Sequence, residues 1–156
     1  MVFPEVTEAQ KTAVLDAVDH AKRVKQHGAS FMRRVVSIFQ EHEFERDWGV
    51  KAVLGADGIE ASFETIFGSG RGGLRLFFDE LGVYGQYVIE RRFENATGHQ
   101  EWKDVWALRV TREGQIFPGG GAGTAIPSRS HLDREQDMPA YEVARSIFYR
   151  LGVEIL

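Results

Sequence analysis

Between Gly58 and Thr111 apolar and polar side chains alternate, and this alternation limits the chain to architectures built on an antiparallel sheet. Ile59, Ala61, Phe63, Thr65 and Phe67 share one phase, and Glu60, Ser62 and Glu64 share the other, the two-residue period of a half-buried strand. Leu74, Leu76 and Phe78 repeat it. Residues 83–93 and 102–110 continue it around an Asn95-Ala96-Thr97-Gly98 turn, whose Asn and Gly accept left-handed backbone angles. Asn95-Ala96-Thr97 also has the form of a glycosylation acceptor, but a turn accounts for it where no secretory signal is seen. A first strand falls within 48–54, followed by an Asp57-Gly58 hairpin turn, and Gln115-Ile116-Phe117 makes a short last strand. The segment Gly68-Ser69-Gly70-Arg71-Gly72-Gly73 reads as a flexible hairpin loop. It lacks the Lys-Ser/Thr ending of a phosphate loop, and strand-like residues follow it where that loop needs a helix.

Helical periodicity flanks the sheet on both sides. Thr7 and Gln10 form a capping box, after which Val14, Ala17, Val18, Ala21 and Val24 make one apolar stripe. Lys22, Arg23 and Lys25 suit a helix C-terminus, and Gly28 suits the residue after it, so the first helix is expected over 7–27. A second helix is expected over 30–44, with Phe31, Met32, Val35, Val36 and Phe39 buried and a solvent face beginning at Arg33 and Arg34. His20 and His27 lie two turns apart, too far to share an ion, and read as surface residues. His42 among glutamates reads as part of a solvated helix end, since a metal would need further ligands at helical spacing. A C-terminal helix over 138–151 is capped by Asp137 or Met138, with Pro139 in its first turn. The tail Val153-Glu154-Ile155-Leu156 is expected to pack as a short strand or plug.

Composition removes several functions. The chain of 156 residues contains no cysteine, which excludes disulfides, thiolate zinc sites and cysteine nucleophiles. With 19 Lys+Arg against 23 Asp+Glu, the formal net charge is −4, which disfavours general nucleic-acid binding. No apolar run approaches the roughly 18 residues of a membrane span, and the N-terminus shows no signal-peptide pattern, so a cytoplasmic protein is expected.

Two constellations could carry chemistry. Pairing 83–93 with 102–111 places Phe93 opposite Trp102, Ile89 opposite Trp106 and Tyr87 opposite Leu108, so that Arg91 meets Asp104 among aromatics. Such a pair either orients a ligand in an aromatic pocket or satisfies two inward charges at the open end of the sheet. On the opposite face Arg92, Lys103 and Arg109, with Glu90, then form a mostly positive patch. The second constellation lies in the glycine-rich connection 118–137, about twenty residues long, a length seen mainly in functional or disordered loops. It holds Ser128, Ser130, His131, Asp133, Glu135 and Asp137, without the elbow motif of a hydrolase or the spacing of a calcium loop.

The fold expected is therefore α+β: two N-terminal helices, an antiparallel meander of five to six strands over 48–117, and one C-terminal helix packed on the sheet. All of it is expected to form one domain over 1–156. The order is similar to that of helix-grip ligand binders, a likeness of fold class that implies no activity. No motif is specific enough to carry a family. The function expected is a non-catalytic protein-binding domain, of which an inhibitor or immunity-type protein acting on a basic nuclease or toxin is one form. It is motivated by the missing catalytic motif, the mild acidity and an aromatic content of 11 Phe, 3 Trp and 4 Tyr. The alternative is a small-ligand binder or enzyme with a pocket between sheet and helices, lidded by the 118–137 loop. Binding residues under either reading are Arg91, Asp104, Trp102, Trp106, Tyr87 and His131; no metal or cofactor is called for.

Overall fold

In the computed structural model, residues 1–121, 123–129 and 137–154 are described. The fold is α+β, with a long helix before a seven-stranded antiparallel sheet and one helix after it. The capping box forms as the sequence dictates: the Gln10 amide donates to Thr7 Oγ1 at 3.2 Å and the Thr7 amide to Gln10 Oε1 at 2.8 Å. Helix α1 (Glu8–Ala13) passes through a 3₁₀ turn, Val14–Asp16, into α2 (Ala17–Gln40).

The expected break at Gly28 does not occur. Helix α2 runs through it because Val24, Gly28, Phe31 and Val35 form one buried stripe, whose burial outweighs the roughly 1 kcal/mol that glycine costs inside a helix. The chain turns instead at Glu41, where ψ reaches 135°, and a short α3 (His42–Trp48) ends on the left-handed Gly49. Trp48, assigned above to the first strand, stacks on Phe148, and Phe44 packs on Tyr141 with ring centroids 5.2 Å apart. The end of this helical region is thus an aromatic contact with the C-terminal helix.

The strands are β1 (Lys51–Leu54), β2 (Ala61–Thr65), β3 (Gly68–Asp79), β4 (Gly82–Glu94), β5 (Gln100–Val110), β6 (Gln115–Pro118) and β7 (Ile126–Pro127), each paired with the next. Two glycine-rich segments differ from expectation, the first lengthening a strand and the second adding one. Gly68–Gly73 is the first half of β3 and not a loop, and β7 comes from the glycine-rich connection. Glycine serves packing here: an added Cβ on Gly72 would lie 2.5 Å from the Tyr87 ring, and one on Gly70 would lie 2.6 Å from Leu151. The Asp57-Gly58 and Asn95-to-Gly98 turns form with Asp57 and Asn95 side chains accepting backbone amides.

Helices α2 and α4 (Met138–Gly152) cover one sheet face, burying Phe39, Ile147 and Leu151 against Phe63, Tyr87 and Leu108. Arg34, expected in solvent, is half-buried: its guanidinium grips both carboxylate oxygens of the buried Asp137, at 2.8 and 2.6 Å, and the Pro127 carbonyl. Asp137 also caps α4 by accepting from the Ala140 amide. One residue of α2 thereby ties β7 to the start of α4. His27 is likewise drawn in from the expected surface, its Nδ1 lying 2.8 Å from Ser128 Oγ.

Candidate functional site

The expected aromatic pocket is taken apart by one residue. From Tyr87↔Leu108 to Ile89↔Trp106 the register is as read from the sequence, but a bulge follows, and Glu90 pairs with Asp104 and Arg92 with Trp102. Val105 is the extra residue. Every side chain beyond it changes face, so Asp104 and Trp102 leave the helix-covered side and Arg91 faces Lys103 instead of Asp104.

The site residues consequently scatter. Tyr87 is fully buried, donates its hydroxyl to the Ile59 carbonyl at 2.6 Å, and has its pKa raised by that burial. Asp104 forms a bidentate pair with Arg75 on the uncovered face, where Arg71 lies 4.1 Å over the Trp102 ring and pairs with Glu90. The patch expected to be mostly positive is dispersed: Arg92 donates to Gln100, Arg109 pairs with Asp79, Glu90 pairs with Arg71, and Lys103 stands opposite Arg91. Trp106 stays on the covered side, beside an open depression of about 340 Å³ shared with Arg145 and Tyr149. Arg91 donates to the carbonyls of Val153 and Phe67 and holds the chain leaving α4, while its buried Nε has no partner among the described residues. His131, with Ser130, Asp133 and Glu135, lies outside the described residues, as do Ile155 and Leu156 of the tail. Between sheet and helices, where a ligand pocket was expected, Tyr87 and Leu151 lie directly on Gly72 and Gly70.

The Ser128–His27 contact was missed because its members stand 101 positions apart. It has the form of a nucleophile and its base. Ser128, however, is only 3% exposed and its amide bonds the Gly114 carbonyl, so the pair fastens β7 to α2. Burial lowers the His27 pKa, aided by the nearby Arg129 charge, and both favour the neutral ring. No group of three metal-ligating side chains is assembled among the described residues.

What the structure leaves uncovered lies at the other end of the molecule. The apolar stripe read from the sequence is buried only from Val24 onward; Val14 is 55%, Leu15 82% and Val18 72% exposed. Opposite this arm stands the tip of the β3–β4 hairpin, where Phe78 is 56% and Leu81 76% exposed. Between them run two joined hollows. One, of about 450 Å³, lies among Val6, Gln10, Val14, Phe78, Asp79 and Glu80. The other, of about 230 Å³, lies among Ala17, Val18, Ala21, Leu76, Phe77, Phe78 and Val83.

Among the described residues, the charged side chains lining this cleft are the carboxylates of Asp79 and Glu80. Asp79 is tied to Arg109 and Arg112 at 3.4 and 3.5 Å and accepts from the Leu81 amide. Burial opposes its charge, but that amide and the Arg112 guanidinium outweigh it and hold the carboxyl below the usual range. The neighbouring sheet edge is open as well. Strand β2 reaches along β3 only to Gly72, leaving Gly73–Asp79 paired with β4 alone.

No family model, no curated protein and no solved structure matches this chain.

Proposed function

We propose that the chain is a non-catalytic protein-binding domain that docks through the cleft between its N-terminal helical arm and the β3–β4 hairpin. The observation that supports this is the concentration of Val14, Leu15, Val18, Phe78 and Leu81 in water on the arm and the hairpin tip that flank the two hollows. Contiguous exposed apolar surface of this kind marks interaction sites. Burying such a side chain is worth roughly 1.5–3 kcal/mol, so a partner that covers several gains much of its affinity there. The acidic balance of the chain and the Glu80 carboxylate in the cleft suit a basic partner, which is the setting of an inhibitor or immunity-type protein.

The test is affinity capture from the native lysate with the whole chain and with Val18→Asp and Phe78→Asp variants as bait. A stoichiometric protein lost with either variant, together with a flat thermal-shift screen against metabolites, nucleotides and metals, is the expected result. A metabolite that raises the melting temperature by several degrees, with no protein captured, would overturn the proposal in favour of a ligand-binding function.

A further inference from the structure

We infer that the partner docks by adding an extended strand to the free edge of β3 at Leu74–Phe78, an inference that rests on the docking reading and specifies the occupant's chemistry. The edge itself sets the backbone requirement. In an antiparallel pair every second residue turns its N–H and C=O away from its neighbour, and beyond Gly72 no strand meets those of β3. Among the described residues no other backbone partner reaches Leu74 to Phe78. Only an extended chain presents donors and acceptors at the matching spacing. Edges left open in natural sheets are commonly guarded by an outward charge. Here the candidate guard, Arg75, is committed to Asp104 and Glu90 across the sheet face.

The side-chain requirement follows from the cleft. Leu74, Leu76 and Phe78 point to the covered face, and the hollow between Phe78, Val14 and Val18 lies on that side. Alternate residues of an added strand would turn toward it, so they are apolar. At the end of the edge, Glu80 lines the cleft and has no partner among the described residues, which selects Lys or Arg in the occupant. A second copy of the chain meets the requirement less well. Paired antiparallel about Leu76, the middle of Leu74–Phe78, it would set Gly72 opposite Glu80 and bring no cation there.

The test uses the full chain and a synthetic peptide of alternating valine and threonine ending in two lysines, with the same peptide N-methylated at alternate amides as control. The plain peptide is expected to bind, to slow hydrogen exchange of amides within Leu74–Phe78, and to bind at least tenfold more tightly than the methylated one. Glu80→Lys should weaken it several-fold. Equal binding of the two peptides, no binding, or unchanged exchange at the edge overturns the inference, as does a dimer in sedimentation that the peptide dissociates. If a Phe78-dependent protein is captured from lysate while edge exchange is unaffected, docking stands and strand addition fails; if nothing is captured and no peptide binds, both fail.

Discussion

Arg34 shows how far a single side chain can depart from its apparent role. Helical spacing puts it beside Arg33 on an outward face, yet its guanidinium closes the connection between β7 and α4 with a side chain only 14% exposed. Breaking a buried pair strands the other charge, so Arg34→Met should lower stability by about 3 kcal/mol in urea unfolding. Asp137, whose pKa is lowered first by its bond to Arg34, contributes stability above the ordinary carboxylate value of 3.8 and loses it as pH falls through the folded value. His27 acts in a higher window. Its folded pKa lies below the ordinary 6.5, so the unfolded chain takes up the proton first and stability falls as pH drops below 6.5. A His27→Gln variant should flatten that part of the pH profile, read as melting temperature from pH 7.5 to 5, while leaving the acid loss from Asp137 in place. Thr7, Asp57 and Asn95 were legible because these backbone partners lie within four residues; Arg34, His27 and Arg91 were not, because theirs lie 24 to 103 positions away.

Elements differ in how well local pattern describes them. The long helix is the clearest case, since glycine at its middle obeys the stopping rule and the helix does not stop. Gly28→Ala should therefore stabilise the protein by about 0.5–1 kcal/mol, because the added Cβ meets Leu74 at an ordinary 3.7 Å and the helix gains propensity. A left-handed Gly28 would give the opposite sign, so chemical denaturation decides the point. Within β3, Gly72→Ala forces a Cβ into the buried Tyr87 ring and should cost roughly 1–3 kcal/mol. At Gly73, where nothing lies within 4 Å, the same change should be tolerated. Glycine density reads as loop in a sequence because flexibility is the commoner reason for it; close approach of a ring to a strand is visible only when the ring is in place. The bulge at Val105 was illegible for a similar reason. Asp104 does interrupt the apolar phase of Trp106, Leu108 and Val110, and Val105 adjoins Trp106, but one inward charge and a slipped register leave the same mark in a sequence.

At the scale of the molecule, covered and uncovered apolar surface should respond differently to substitution. Phe31→Ala, within the core, should cost about 3–5 kcal/mol, whereas Val18→Asp should leave the melting temperature within a few degrees while abolishing docking. Comparable losses at both positions would mean that the arm is part of the core. No described helix is long and apolar enough to cross a membrane, so the exposed stripe is not part of a helical span.

The alternating middle third settled, without any coordinates, that this chain builds an antiparallel meander, and the amphipathic stripes settled that helices roof it. Which part of the stripe is roofed, which strand edge stays open and on which side Trp102 and Asp104 stand were decided by the assembled fold. The physical reason is that period and capping are properties of one segment and its near neighbours. Burial, register past a bulge and a free edge are properties of two surfaces that meet, and they take values only once the distant segment has arrived or has fallen short.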